Sequence, residues 1–378
     1  IKLHNNNLYV SYSRIDTALS LRTYCISKIS KEGNILWRTI TGTSYSYSTI
    51  GHEIIFDDDN NIYTCGQTNG NIYKLNDSGN IIDSIHVMVN NIDSYVYNIK
   101  LLPQGRMYLI SYNIENNIYK YYLSLRNADG TIAWSKLING EFPQLLHGND
   151  NSIYEYHYRY EALIGYFVSI NKFSHSGALL WTQESLAERE ISNNMKYNRY
   201  PLLSLSSDGN LILGVTSAIN LFSYHSTAII KKLNSETGDS LWTFNSWNTN
   251  SLGGQFGNFT QDASGNIYAA YSDITANWLN GDSYSIAKLN SDGVLLRTTA
   301  NNNFLNRRFN PSFIQILQDK SLIINGYYDG HVTFYEQSAT IKFSQPVNIT
   351  PNQNSLPNNF SLSQNYPNPF NPNTVIGF

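Results

Sequence analysis

The chain has 378 residues, of which 41% are hydrophobic and 14% are charged, and its formal net charge is −3. No basic stripe offers a footprint for nucleic acid, and no apolar run approaches the roughly 18 residues that a membrane-spanning helix needs. The polar character comes from Asn, Ser, Thr and Tyr, with 29 tyrosines. Because Tyr and Thr favour strands while Asn, Gly and Ser favour turns, this composition predicts many short strands joined by tight turns.

A two-residue marker recurs along the whole chain. It consists of an aliphatic residue followed in most copies by Tyr, and it comes after a polar turn. Its seven copies begin at Leu8, Ile62, Met107, Ile153, Leu211, Ile267 and Leu322. Their spacing of 45 to 58 residues indicates a stack of repeated supersecondary units.

A second marker follows the first and contains a Lys, a short turn with Gly, and a Trp four residues after the Gly. The full copies are Lys28, Gly33 and Trp37; Lys172, Gly177 and Trp181; and Lys232, Gly238 and Trp242. Weaker copies contain Lys74 and Gly79, Gly130 and Trp134, and Lys288 and Gly293 with Arg297 in the Trp position. We expect the Trp to lie between neighbouring units with its N–H bonded to a turn, and we expect the Lys to be structural.

The sixth unit shows the predicted strands most clearly. They are about Gly257–Asp262, Asn266–Tyr271, Tyr284–Asn290 and Val294–Thr299, joined in pairs by hairpin turns. Four antiparallel strands in a unit of this length match one blade of a propeller. Residues 1–343 are therefore predicted to form an all-β, seven-bladed β-propeller of four-stranded antiparallel blades. The first unit keeps little of its first strand and the seventh lacks its fourth, so an eighth blade, or ring closure by residues outside the sequence, stays open.

Two segments of the fifth and sixth units carry a family resemblance. Lys232–Trp242 and Asp262–Tyr268 resemble repeats of bacterial secreted β-propellers. The first is also similar to the tryptophan-docking repeat of the pyrroloquinoline-quinone-like propellers. This resemblance extends over about residues 1–345 and implies the fold only, because the acids and basic residues that would converge on a quinone and a calcium cannot be located in the sequence.

The C-terminal region changes composition. Residues 344–359 form a linker rich in Pro and Asn, which cannot build a core. Residues 360–378 contain Asn-Tyr-Pro-Asn-Pro-Phe-Asn-Pro and closely resemble the opening of the C-terminal sorting domain of the type IX secretion system of Gram-negative bacteria. In that family the domain continues as a small β-sandwich, so we expect a truncated start of it. The resemblance implies the secretion machinery as a partner, and a secreted or surface-attached protein.

The clearest metal candidate is an acidic turn. Asp57 and Asp59, in the run Asp57–Asn61, could bind calcium through their oxygens, and the alternative is a solvated turn. The eight histidines lack the spacing of a zinc site. Cys25 and Cys65 are compatible with one disulfide or with two buried thiols, and the second interpretation is favoured.

The loops of the predicted propeller point to a binding face. Turns within the two hairpins of each unit share one face, and the longer, more variable loops share the other, which is the usual place for binding. Trp247 and Trp278 fall in these variable loops, with Asp273, Asn277 and Asn280 in reach. Aromatic rings with acid and amide groups suit a sugar or peptide, and the alternative is that both rings pack beneath their loops.

These observations predict an exported, monomeric, non-enzymatic propeller that binds a glycan, a peptide or a surface partner through its variable-loop face. No catalytic residue is assigned. The alternative is a secreted hydrolase or lyase that acts on polysaccharide at the same face. Two carboxyl groups standing roughly 5 to 10 Å apart in that mouth would favour the alternative.

Overall fold

The structure is a computed structural model that describes residues 2–16, 21–44, 53–65, 70–116, 118–161, 165–187, 201–218, 226–246, 254–273, 283–301, 308–317, 319–329 and 337–343. Within these ranges the chain forms 29 β-strands and a short 3-10 turn at Pro103–Gly105. The described part contains no helix long and apolar enough to cross a membrane. The predicted linker and sorting segment, 344–378, lie outside the described residues.

The first half of the chain forms three four-stranded sheets. The first consists of β1 (Lys2–His4), β2 (Asn7–Asp16), β3 (Leu21–Ile29) and β4 (Ile35–Ser44). The second consists of β5 (Glu53–Phe56), β6 (Ile62–Cys65), β7 (Asn71–Leu75) and β8 (Ile81–His86). A small hairpin of β9 (Met88–Val89) and β10 (Ile92–Asp93) follows. The third consists of β11 (Tyr95–Leu101), β12 (Met107–Glu115), β13 (Ile118–Arg126) and β14 (Ile132–Ile138).

The second half repeats the pattern. The fourth sheet consists of β15 (Glu141–His147), β16 (Ile153–Glu161), β17 (Gly165–Phe173) and β18 (Leu179–Ala187). The fifth consists of β19 (Leu202–Leu205), β20 (Leu211–Ala218), β21 (Ser226–Leu233) and β22 (Ser240–Asn245). The sixth consists of β23 (Gly254–Gln261), β24 (Ile267–Asp273), β25 (Ser283–Leu289) and β26 (Leu295–Asn301). The seventh consists of β27 (Arg308–Ile316), β28 (Leu322–Asp329) and β29 (Gln337–Phe343).

All strands within a sheet pair antiparallel and in chain order. The prediction of four strands per unit is confirmed for the first six sheets, and the described residues of the seventh form three. The strands of the sixth sheet agree with their predicted ranges to within a few residues. The first strand of the first sheet is only three residues long, as its sequence indicated.

Apolar residues join each sheet to the next. Six core clusters are found among the described residues, and each combines side chains of two consecutive sheets. Between the fourth and fifth sheets, for example, Tyr154, Tyr156 and Val168 pack against Leu203 and Leu211. The sheets therefore stack face to face in chain order, and each hydrophobic layer stabilises one neighbouring pair.

The order of strands within each sheet runs from the interior to the surface. First strands of consecutive sheets contact one another, as β5 does with β11, β11 with β15, and β23 with β27. Second strands are buried on both faces, since β12 is buried from its first residue to its seventh. Fourth strands such as β8 are mostly exposed. The first strands thus lie innermost, where neighbouring sheets meet.

The recurring Trp joins the first, third, fourth and fifth sheets to the third-to-fourth strand turn of the sheet that follows. The indole N–H donates to a backbone carbonyl of that turn in four places: Trp37 to Asp77 at 2.9 Å, Trp134 to His175 at 3.0 Å, Trp181 to Ser235 at 3.2 Å, and Trp242 to Ser291 at 3.0 Å. The ring lies against the glycine of the same turn, which leaves no room for a Cβ there. The predicted position of the Trp is confirmed.

The recurring Lys is structural as well. Lys172 is 1% exposed, and its Nζ lies 2.8 Å from Asp150 Oδ2 and donates to the Ser235 carbonyl at 2.9 Å. Lys28 pairs instead with Asp77 of the next sheet, at 2.6 Å. Lys28, Lys172 and Lys232 are thus buried cations with carboxylate partners, which is the arrangement that burial of charge requires.

The two cysteines do not form a disulfide. Cys25 of β3 and Cys65 of β6 are both buried thiols outside any disulfide. Burial raises the pKa of the Cys65 thiol far above its usual range. The favoured interpretation, two small buried strand residues, is confirmed.

Candidate functional site

A cavity of about 600 Å³ lies between the inner strands of the fifth, sixth and seventh sheets. Its size is within the range usual for small-molecule sites. Strands β19, β23 and β27 and the turns that follow the first two supply its walls. The lining residues are Leu202, Ser204, Leu205, Ser206, Ser207, Asn258, Phe259, Thr260, Gln261, Asp262, Phe313, Ile314 and Gln315.

One wall of the cavity carries an exposed aromatic ring. Phe313 is 46% exposed, whereas its neighbour Ile314 is 3% exposed and belongs to the core. Gln315 is exposed as well, because successive side chains of a strand point to opposite faces. A bulge between Pro311 and Phe313 interrupts the pairing of β27 with β28, and bulges of this kind re-aim the side chains beside them. The seventh sheet thus presents a ring and an amide side by side.

Two amide side chains of β23 hold the walls together. Gln261 Nε2 donates to the Leu205 carbonyl at 3.0 Å and to Ser204 Oγ at 3.3 Å, which ties the sixth sheet to the fifth. Asn258 Nδ2 donates to the Ser312 carbonyl at 3.0 Å, which ties the sixth sheet to the seventh. The amides are therefore fixed in position before any ligand arrives, which lowers the entropic cost of binding.

Among the described lining residues, Asp262 is the single ionisable group. Its carboxylate accepts the backbone N–H of Ser264 and of Asn266, at 2.9 Å each, and the side chain of Asn266 at 2.8 Å. Burial alone would raise the pKa of Asp262, but these hydrogen bonds outweigh it and hold the pKa below its usual range. This carboxylate is thus engaged in its own turn, and the described lining offers polar and apolar contacts more than acid–base chemistry.

A similar link joins the inner strands of the second and third sheets. Glu53 Oε2 accepts the Ile99 N–H at 2.9 Å, and Oε1 lies 3.0 Å from Lys100 Nζ. In the third sheet Asn98 Nδ2 donates to Gln144 Oε1 of the fourth at 3.3 Å. These bonds pair backbone and side-chain groups on the inner edges of the sheets, where no described strand lies beside them.

A buried acid–imidazole pair lies apart from the cavity. His157 Nδ1 lies 2.7 Å from Glu155 Oε1, and Asn171 Nδ2 donates to Glu155 Oε2 at 2.8 Å. Both members of the pair lie on β16; Glu155 is 1% exposed and His157 is 4% exposed. With so little access from solvent, the pair is a satisfied element of the core.

The site residues predicted from the sequence fall almost entirely outside the described part. Trp247, Trp278, Asn277 and Asn280 lie there, and Asp273 is described only through its backbone, as the last residue of β24. The described cavity lies instead beside the first-to-second strand turns, opposite the variable loops. Sequence reasoning missed Phe313 and Asn258 because both lie on strands and fit the apolar and turn-rich pattern of the repeat.

The acidic turn has the geometry of a hydrogen-bonded turn. Asp57 Oδ1 accepts the backbone N–H of Asp59 at 3.1 Å and of Asn61 at 2.8 Å, and Oδ2 lies 3.2 Å from Lys74 Nζ. Burial would raise the pKa of Asp57, but the bonds from Asn61 and Lys74 lower it. The described residues contain no group of three or more side chains that could hold a metal ion. The Asp57 carboxylate is thus engaged by its own turn and by Lys74.

Comparison with known proteins gives one family and several structures. Residues 36–74, from β4 to β7, match the Beta-propeller repeat family, SBBP. None of the curated proteins matches the chain.

Three solved structures illustrate the structural likeness. The polysaccharide lyase Uly1 has a TM-score of 0.51 at 10% identity, covering 90% of this chain and 88% of that one. The Pyrococcus horikoshii acylaminoacyl peptidase has a TM-score of 0.50 at 9% identity, covering 88% of this chain and 50% of that one. A Bacteroides caccae protein of unknown function has a TM-score of 0.40 at 11% identity, covering 73% of this chain and 90% of that one. At identities this low, the likeness to the lyase and the peptidase shows a shared fold alone.

Proposed function

We propose that this β-propeller repeat protein is an exported, seven-bladed, non-enzymatic propeller that binds a polysaccharide in the cavity between its fifth, sixth and seventh sheets. The observation that carries the proposal is the exposed ring of Phe313 beside fixed amides and hydroxyls. A sugar ring places its apolar face on an aromatic side chain and its hydroxyls against amides. The lining combines these two kinds of contact in one cavity.

The repeated unit supports a proposal of seven blades. The described residues form seven sheets of three or four strands, and a core cluster joins every consecutive pair of them. The shared fold with a polysaccharide lyase supports a polysaccharide as the class of ligand to test first. Because the described lining residues include no Lys, Arg or His, we propose a neutral polysaccharide.

A hydrolase or lyase at this site would need further acid–base groups. Glycoside hydrolysis ordinarily uses two carboxyl groups, and the described lining contributes Asp262, which is held in its own turn. We therefore favour binding. The variable-loop residues Trp247, Trp278, Asp273, Asn277 and Asn280 stay proposed as a separate contact region on the opposite face.

Binding to a panel of neutral polysaccharides tests the proposal, by affinity electrophoresis followed by calorimetry. Phe313→Ala is expected to weaken binding by about tenfold, since aromatic contacts of this kind contribute about 0.5–1.5 kcal/mol beyond burial. Leu180→Ala is the matched control, because Leu180 is 53% exposed on the outer strand β18 and should leave the affinity unchanged.

Two results would contradict the proposal: no polysaccharide binds, or Phe313→Ala binds as tightly as the wild type. Loss of binding in Trp278→Ala alone would move the site to the variable loops. Release of new reducing ends on prolonged incubation would favour the enzymatic alternative.

A further inference from the structure

A carboxylate holds the recurring Lys where one sheet meets the next. Lys28 Nζ lies 2.6 Å from Asp77 Oδ1, in the third-to-fourth strand turn of the second sheet, and the Tyr9 hydroxyl donates to the same oxygen at 3.0 Å. The hydrogen bond from Lys28 holds the pKa of Asp77 below its usual range. Lys172 pairs with Asp150 of its own sheet at 2.8 Å. In both places opposite charges face each other, and they persist well below neutral pH.

The joint between the third and fourth sheets is built from other residues. Leu125 lies between Tyr108 and Trp134 in the third sheet, at the position of the recurring Lys. His175 of the fourth sheet takes the place of Asp77, since each is the second residue of its turn and accepts a Trp indole N–H through its backbone carbonyl. An imidazole thus lies where the joint between the first and second sheets has a carboxylate.

Arg106 supplies the cation of this joint. It directly precedes β12 of the third sheet, and its Nη1 lies 2.5 Å from His175 Nε2, while the Tyr108 hydroxyl lies 3.1 Å from His175 Nδ1. Because a guanidinium can only donate, Nε2 must accept and carries no proton. The proton of the neutral ring is therefore on Nδ1, which donates to Tyr108. Neutral His175 links the two sheets by two hydrogen bonds.

The groups that face His175 oppose a second proton on its ring. Burial, and then the charge of Arg106, lower the pKa of His175. Burial raises the pKa of Tyr108 to about 12, so its hydroxyl is neutral. His147, at the end of β15, packs its ring against Tyr108; burial and His175 lower its pKa, and Asp150 acts in the opposite direction. Protonation of His175 therefore brings two cations into contact.

We propose that His175 makes this joint sensitive to acid: a second proton on its ring breaks the hydrogen bond from Arg106, and the turn beneath Trp134 loosens. The contribution of the neutral ring to stability is complete above about pH 6.5, the usual pKa of His in an unfolded chain. It is lost as the pH falls further, because the unfolded chain then binds a proton that the folded joint opposes. The Lys28–Asp77 pair keeps its opposite charges in this range, so mild acid loosens the joint of the third and fourth sheets first.

Thermal unfolding of the full chain at pH 7.5 and pH 5.5, followed by circular dichroism, tests the proposal. The melting temperature of the wild type should fall further than that of His175→Gln, by about 2 °C or more. Gln keeps an acceptor for Arg106 and a donor for Tyr108 but does not titrate. Arg106→Gln should shrink the fall as well, because the opposing charge is gone. His86→Gln is the matched control: His86 lies 3.0 Å from Asp93 Oδ1, so its protonation meets a carboxylate, and this variant should not reduce the fall.

Hydrogen–deuterium exchange locates the change within the chain. At pH 5.5, peptides that contain β14 or the turn 174–177 should exchange faster in the wild type than in His175→Gln, because local opening exposes their amides. At pH 7.5 the two proteins should exchange equally. Comparing them at one pH removes the intrinsic dependence of exchange on pH.

An equal fall in melting temperature for the wild type and His175→Gln, or equal exchange at pH 5.5, would overturn the proposal. A fall that His147→Gln abolishes and His175→Gln retains would overturn it too, by assigning the effect to the other imidazole. If His175→Gln were less stable at pH 7.5, an undiminished fall in Arg106→Gln would still count against it. The joint shares no residue with the cavity of the fifth, sixth and seventh sheets, so the polysaccharide assay tests the proposed function separately.

Discussion

The ion pair of Lys172 makes the stability of the protein depend on pH. It lies almost fully inside the protein, and three acceptors surround its Nζ: Asp150, the Ser235 carbonyl and Glu236. Burial would lower the pKa of Lys172, but the bond to Asp150 raises it. On the other side of the pair, burial would raise the pKa of Asp150, yet the bonds from Lys172 and Ser152 hold it at about 2.

This pair predicts a pH dependence of stability. The pKa of Asp150 in the folded protein lies below the value of about 3.9 for an unfolded chain, so its contribution is complete above about pH 4 and is lost as the pH falls toward 2. The urea midpoint of the wild type should therefore fall more steeply between pH 5 and pH 2 than that of Asp150→Asn. Glu32→Gln, in an exposed turn, is the control and should keep the wild-type slope. Equal slopes for wild type and Asp150→Asn would contradict this account.

At the scale of single residues, the sequence predicted the roles of residues that recur from unit to unit and missed those that occur once. The Lys, Gly and Trp positions recur at fixed spacing, so their structural role could be inferred before any coordinates. Phe313 has no such signal, because an aromatic residue in a strand is most often core. Only the bulge beside it and its exposure distinguish it, and both depend on how β27 packs against its neighbours.

At the scale of elements, the contact between one sheet's fourth strand and the next sheet's turn is the recurring unit of cohesion. Trp181 of β18 is an example: its ring covers Gly238, and its N–H bonds the Ser235 carbonyl. The residues beside it in β18 are exposed, so the indole is the side chain through which this part of the strand contacts the fifth sheet.

Trp181→Ala should lower the free energy of unfolding by about 1–3 kcal/mol, less than the 3–5 kcal/mol of a fully buried aromatic residue, because the ring is half-buried. Trp181→Phe should recover the ring contact and lose the hydrogen bond, at a cost of about 1 kcal/mol. Thermal unfolding followed by circular dichroism measures both variants. Leu180→Ala, the adjacent exposed residue, should leave the melting temperature unchanged. An equal loss in the Leu180 and Trp181 variants would show that the indole contact has no special role.

The strands themselves were accessible from sequence because alternating apolar residues and Gly- or Asn-rich turns mark them in every unit. The inner-strand cavity was not, because it depends on bonds between sheets. The Gln261 and Asn258 amides bond to residues more than 50 positions away in the chain. The local periodicity of a sequence does not indicate contacts between residues so far apart.

At the scale of the whole molecule, the chain combines a scaffold of sheets with a C-terminal segment of a different kind. The scaffold could be predicted because the same sequence markers recur in seven units, so that a clear copy identifies the strands of a weaker one. We propose export from the 19 residues Phe360–Phe378 alone, which resemble a type IX sorting domain and lie outside the described residues.

Deletion of Phe360–Phe378 should therefore hold the protein in the periplasm of a bacterium with type IX secretion. Immunodetection in the medium, at the cell surface and in the periplasm measures the distribution. Replacement of 348–356 in the linker by Gly and Ser is the control and should leave export unchanged. A deletion variant that still reaches the surface or medium would refute the role of this segment.

The six core clusters have a consequence for how the molecule responds to damage. Each cluster connects two consecutive sheets, so cooperativity passes along the chain from neighbour to neighbour, as in linear arrays. In an open array the first and last sheets have one neighbour and fray before the interior. Closure of the proposed ring between the seventh and first sheets would remove both ends at once and convert a line of coupled units into a cycle, in which every sheet is interior.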